Sequence, residues 1–270
     1  MSWGILWLIT TVLLISHRYA WWKPGINARH PRILMYHMVS EHIKGAKFNK
    51  LRVIPAMFEY QVRWLKDHGW YFAFMSEIDH PELLPKKTVF LTFDDGFEDN
   101  YHNAFPVLQK YQAKATLFLV LDRFDRDWSM AKKSHHNSGE LMRELKLSDS
   151  QVITMLDSGC WELGGHTLTH ANLVRLSRNK RWDEINGCRT QLERQFGSRI
   201  NSFAYPFGIY DDVDVELTML AGFTSAVTTE EGINENLQTP FRLKRIKISG
   251  RDDRVGFWLR MRTGFRGWKR

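Results

Sequence analysis

Thr88-Val89-Phe90-Leu91-Thr92-Phe93-Asp94-Asp95-Gly96 is an apolar run that ends in two adjacent carboxylates and a glycine. Apolar side chains at odd and even positions suit a strand buried on both faces, as in parallel sheets covered by helices. Further along, Trp161-Glu162-Leu163-Gly164-Gly165 runs into His166-Thr167-Leu168-Thr169-His170. The two carboxylates and two imidazoles give three donors with one carboxylate to spare, the set that a catalytic metal site needs. Such a site has three protein ligands, an open position for water and a base beside it. These residues point to metal-dependent hydrolysis.

Strand and helix patterns alternate outward from this stretch. Ile33-Leu34-Met35-Tyr36, ending at His37, predicts a buried strand, and Pro55 to His68 a helix with proline in its first turn and Gly69 at its end. Ala115 to Leu121, Trp161 to Gly165, Phe203 to Tyr205, Ser225 to Thr228 and Leu243 to Ile248 read as strands. Ser148 to Leu156, Trp182 to Phe196 and Val213 to Leu220 read as helices between them, and a helix through Tyr101, Phe105, Val107 and Leu108 should break or kink at Pro106. This alternation predicts an α/β architecture with parallel strands. In a barrel of that kind the catalytic groups collect at the strand C-termini, where His37, Asp94, Asp95, His166 and Pro206-Phe207-Gly208 all fall.

A chain of 270 residues, 43% hydrophobic, suits one domain with a large core. Cys160 and Cys188 can form neither a disulfide framework nor a zinc site by spacing. His68, His80 and His102 are expected at structural or surface positions, and His135 and His136 in a solvated loop. The net charge of +8 is uneven: residues 242–270 carry eleven Lys or Arg against Asp252 and Asp253. No nucleic-acid motif accompanies these cations. Phe257, Trp258, Leu259, Phe265 and Trp268 are interleaved with them, so residues 251–270 read as a basic amphipathic segment facing anionic lipid, or as a solvated helix closing the domain.

Residues 1–22 read as an uncleaved membrane anchor and 23–31 as a linker, followed by a catalytic domain over 32–250. The apolar run from Trp3 to Ile15 reaches spanning length only by continuing past His17 and Arg18. No Lys or Arg precedes it, as a cleaved signal would require. Arg18, Lys23, Arg29 and Arg32 follow it, which by the positive-inside rule puts the domain on the cytoplasmic face of a bacterial-type inner membrane; a periplasmic or extracellular domain is the alternative.

Thr92 to Gly96, His166 to His170 and Tyr205-Pro206-Phe207-Gly208 resemble the first three motifs of the NodB-homology polysaccharide deacetylases, carbohydrate esterase family four. The resemblance covers roughly residues 31 to 250. It implies a distorted (β/α) barrel and a divalent metal that serves removal of N-acetyl groups from sugars, less often O-acetyl or formyl groups. It also implies Asp95, His166 and His170 as ligands and Asp94 as general base. Three features depart from the family pattern. Ala204 stands where an arginine orients the base, no fourth-motif tryptophan follows Gly208, and the late Leu-x-His motif that supplies the acid is missing. Leu34-Met35-Tyr36-His37-Met38 resembles the circularly permuted branch that includes the poly-N-acetylglucosamine deacetylases, in which an acid-bearing strand opens the domain. His37 is then the expected general acid and Arg245 the displaced arginine.

The expected reaction is hydrolysis of an N-acetyl group on an envelope polysaccharide or glycolipid, with the Phe207 N–H as oxyanion donor. Zinc is the expected metal, and an Asp-His-His set also takes cobalt, nickel or manganese. A carbohydrate-binding homologue without turnover, and a deformylase or O-deacetylase, are the rival readings.

Overall fold

The computed structural model describes residues 3–19, 21–128, 132 and 138–267. His135, His136 and Trp268 lie outside the described residues. The strands are β1 (Arg32–Tyr36), the short pair β2 (Met38–Val39) and β3 (Arg52–Val53), β4 (Tyr71–Ala73), β5 (Thr88–Asp95), β6 (Ala115–Leu119), β7 (Trp161–Gly165), β8 (Ser202–Ala204), β9 (Ser225–Glu231) and β10 (Leu243–Lys247). The helices are α1 (Trp3–Arg18), α2 (Pro55–Asp67), α3 (Phe105–Tyr111), α4 (Glu140–Arg143), α5 (Asp149–Asp157), α6 (Arg178–Phe196), α7 (Asp212–Leu220) and α8 (Arg254–Thr263).

Seven parallel strands close into a barrel in the order β1-β10-β9-β8-β7-β6-β5, and β5 pairs back onto β1. β5 is the seam. Val89 to Phe93 pair with β1 along one edge, while the other edge is divided between β4, opposite Thr88 to Phe90, and β6, opposite Leu91 to Asp95. The barrel is therefore an α/β fold distorted at one strand. β4 was not expected, because Tyr71-Phe72-Ala73 is too short to show a period.

Alternation along β5 separates two cores. Val89, Leu91 and Phe93 pack outward with Phe58, Val62 and Leu65 of α2, whose spacing of four and three residues aligns them on one helical stripe. Phe90 points inward with Ile33, Phe118, Ala204, Val227 and Leu243, so apolar side chains fill the barrel below the site. Gly164 is required there, since a Cβ would lie 2.5 Å from the Phe118 ring. The expected break at Pro106 is absorbed upstream: Asn100–Ala104 form a π-turn, and Pro106 sits in the first turn of α3, where its missing N–H costs nothing.

α8 closes the shell, with Phe257, Leu259 and Met261 buried. Its outer side carries exposed Arg254, Val255 and Trp258. No residue of α1 is buried. The end of α1 is tied to α8 through Asp253, which accepts from the Tyr19 hydroxyl and from Arg18 at 3.3 Å. His68, His80 and His102 contact Trp64, Glu82 and Glu98 respectively. Cys160 and Cys188 are free thiols.

Candidate active site

Neighbouring residues of a strand point to opposite faces, so Asp94 and Asp95 would be separated by an ideal β5. Asp95 has a φ of +79°, which turns its side chain back so that both carboxylates line one cavity of about 370 Å³ at the strand C-termini. Thr167, His170 and Phe207 also have positive φ; four of the seven such non-glycine residues among those described belong to this site. Strained backbone of this kind persists only where the surroundings enforce it. Gly208 completes the Phe207 turn, because a Cβ there would fall 2.0 Å from Thr229 Oγ1.

The structure brings His37, Asp94, Asp95, His166, His170 and Phe207 together around this cavity, with Arg245 directly behind Asp94. The two carboxylates have different partners. Arg245, fully buried on β10, donates from both Nη atoms to both oxygens of Asp94 at 2.7 Å, and its Nε to Thr228 O at 2.8 Å. Burial acts to raise the Asp94 carboxyl, but the guanidinium outweighs it and holds the group below the ordinary carboxylate value. His37 Nε2 lies 4.0 Å from Asp94 Oδ2. Burial lowers the His37 imidazolium, and Asp95 and Asp94 act the other way.

Among the described residues Asp95 has no arginine partner. Its Oδ1 is 3.4 Å from His166 Nε2 and 3.3 Å from His170 Nε2. Ligands about 2.1 Å from a shared tetrahedral ion stand about 3.4 Å apart, so these separations fit an ion between them. All three ligating atoms lie within 4.8 Å of one another on buried residues. His166 Nδ1 bonds Ala204 O at 2.7 Å, which orients Nε2 toward Asp95. The His-x-x-x-His pair is not helical: it spans a loop in which Thr167 and His170 take left-handed conformations.

The cavity wall adds residues that motif reasoning missed. Trp128, on the loop after β6, is buried with its ring 5.0 Å from that of His170, and the Phe207 ring meets His170 edge-on at 4.4 Å. Lys132, Lys247 and Thr229 also line the cavity. Position after a strand end was the signal available for Trp128, but the polar composition of that loop obscured it.

Asp99 fastens the segment that carries His37. Its Oδ1 accepts from Val39 N at 3.0 Å and from Asn100 Nδ2, which also donates to His37 O at 2.9 Å. Burial pushes the Asp99 carboxyl up to about 6 from 3.8. The folded state then binds the proton more tightly than the unfolded chain, so stability falls as pH rises from about 4 to 6. Asp99→Asn keeps an accepting oxygen and removes the charge. Its Tm is expected to gain on the wild type across that window and to hold a constant lead above it. A lead that does not change with pH would contradict the assignment.

The model of the family described as polysaccharide deacetylase matches residues 82–226. A Bacillus subtilis relative assigned to the polysaccharide deacetylases is 31% identical over 234 residues, covering 85% of this chain and 75% of that protein. The poly-β-1,6-N-acetyl-D-glucosamine N-deacetylase of Staphylococcus aureus is 26% identical over 224 residues, covering 79% of this chain and 72% of that protein. A solved Streptococcus pyogenes deacetylase in complex with acetate aligns with a TM-score of 0.72 at 27% identity, covering 88% of this chain and 99% of that one.

Proposed function

The chain belongs to the polysaccharide deacetylase family and is a hydrolase of that class, and from this premise we propose that it removes N-acetyl groups from an amino-sugar polymer or glycolipid of the cell envelope. The observation that carries the residue assignment is the unequal setting of two adjacent carboxylates: Asp94 is clamped by Arg245, and Asp95 faces two imidazoles. Paired acids whose surroundings differ in this way perform different tasks.

Asp95, His166 and His170 would hold a divalent ion, for which zinc is the first candidate; cobalt, nickel and manganese suit the same donors. When bound, the ion supplies Lewis acidity toward water and the acyl oxygen. Asp94, kept ionised by Arg245, takes the proton of the attacking water. The Phe207 N–H, held on its strained turn, donates to the oxygen that gains charge. His37, protonated, gives its proton to the departing amine, and the apolar wall of Trp128 and Phe207 limits water around these groups. Acetate release from N-acetylglucosamine oligomers tests this reading. We expect release that a chelator abolishes and zinc restores; release indifferent to chelation would contradict it.

We further propose that residues 1–22 attach the enzyme to a membrane. Among the described residues no helix is long and apolar enough to cross one. At 1.5 Å per residue the 16 residues of α1 reach about 24 Å, against a hydrocarbon core of about 30 Å. α1 is nonetheless largely apolar and has no buried residue, and Trp21 and Trp22 just beyond it are exposed, as are Arg251, Arg254 and Trp258 at and beside α8. Exposed aromatic and cationic residues of this kind, each taken singly, favour the headgroup level of an anionic bilayer. Leu8→Asp with Leu13→Asp should move the chain from the membrane to the soluble fraction; retention in the membrane would argue against α1 as the anchor. The cations after α1 favour a cytoplasmic domain, and alkaline phosphatase fused after Arg270 is expected to be inactive. Activity of that fusion would put the domain outside.

A further inference from the structure

We propose that Lys146 is a positioning residue of the metal site: it fixes the Trp128 ring, and Trp128 in turn holds the imidazole of His170 in its ligating orientation. This rests on the metal-dependent reading above and adds to it the means by which one ligand is aimed.

The two imidazoles are held differently. His166 is oriented by a hydrogen bond between its Nδ1 and Ala204 O at 2.7 Å. Among the described residues the Nδ1 of His170 has no hydrogen-bond partner, although the side chain is buried. A metal-ligating histidine ordinarily bonds a carbonyl, a carboxylate or water through its second nitrogen, which fixes the orientation of the ring. At His170 ring packing takes that part. Its ring centroid lies 4.4 Å from that of Phe207, 4.7 Å from that of His166 and 5.0 Å from that of Trp128. Phe207 is fixed to β9, because its carbonyl accepts from Thr229 Oγ1 at 3.2 Å. Trp128 sits in the loop after β6, outside any strand or helix, so its ring depends on the side chains around it.

Lys146 supplies that support. Its Nζ lies over the Trp128 ring at 5.1 Å and over the Phe97 ring at 4.8 Å. The side chain is buried, and Nζ donates to Leu141 O at 2.7 Å and to Glu144 O at 2.6 Å. Its backbone is equally fixed. Lys146 bridges Phe97 in antiparallel register, flanked by the bonds from Glu98 N to Leu145 O and from Leu147 N to Gly96 O, both at 2.9 Å. The lysine is thus tied to the chain that continues directly from Asp95. A cation taken out of water over an indole face is held more firmly than an exposed one. Phe97, Trp128 and Leu141 belong to one buried apolar cluster with Phe207 packed against it, so a shift of the indole would be felt at the cavity wall.

Zinc affinity, read by competition with a chromophoric chelator, tests this independently of turnover. Lys146→Met is expected to weaken zinc binding by about tenfold, and Trp128→Leu by a similar factor. The double variant should lose no more than either single one, because the lysine acts through the tryptophan. Lys146→Gln keeps a donor for one of the two carbonyls and gives the same comparison if Lys146→Met does not fold. Zinc affinity equal to the wild type in either single variant, or losses that multiply in the double variant, would overturn the positioning role and leave the metal site intact. A wild type that takes up no zinc would instead remove the reading on which that role rests.

Discussion

Asp94→Asn is expected to lower acetate release by about a hundredfold or more with the bound ion retained. The amide still accepts from Arg245 through one oxygen and keeps the shape of the residue, so the fold should persist. It cannot take a proton from water. Asp95, His166 and His170 are untouched, so ion content measured on the variant separates this change from loss of the metal site. Turnover equal to the wild type would remove Asp94 as the base.

Arg245→Met is expected to have the largest effect on stability, about 3–5 kcal/mol in a urea titration, because it leaves a buried carboxylate without its partner. The sign of its pH effect follows from the same pair. With Arg245 present, the Asp94 carboxyl lies below its ordinary value, so the stability from the pair is present at neutral pH and is lost as pH falls through that lowered value. Without the guanidinium, burial is the dominant influence and raises the carboxyl instead. The acid limb of the rate profile should therefore move toward higher pH in Arg245→Met. Arg245→Lys should recover only part of the loss, since one ammonium cannot make two parallel bonds to both oxygens of Asp94. A rate profile unmoved by Arg245→Met would show that the arginine does not set the state of the base.

The parts of the site carried by contiguous residues were legible in the chain. Asp94 and Asp95 end an apolar run, and His166 and His170 follow another, so strand ends and donor chemistry coincide within a few residues. Arg245 is different: it meets Asp94 across 151 positions, and only resemblance to the permuted branch suggested it. The conformation of Asp95 could not be read at all, because a carboxylate at a φ of +79° has no local sequence signature and is enforced by its surroundings. Trp128, Lys132 and Lys247 were passed over for a related reason. The first two lie in a polar loop that resembles solvated chain, and Lys247 is one lysine in a basic stretch whose inward position appears only once β10 is paired with β1. Likewise, β4 is three residues long, and its strand character comes from the edge of β5 that it completes.

Ion content and acetate release measured together on the wild type, His166→Ala and His170→Ala test whether Asp95 and the two imidazoles share one catalytic cation. The wild type should hold about one divalent ion per chain, and both variants should stay folded, lose the ion and lose activity with it. Full ion occupancy in either alanine variant, or undiminished acetate release from a variant shown to be free of metal, would contradict the account.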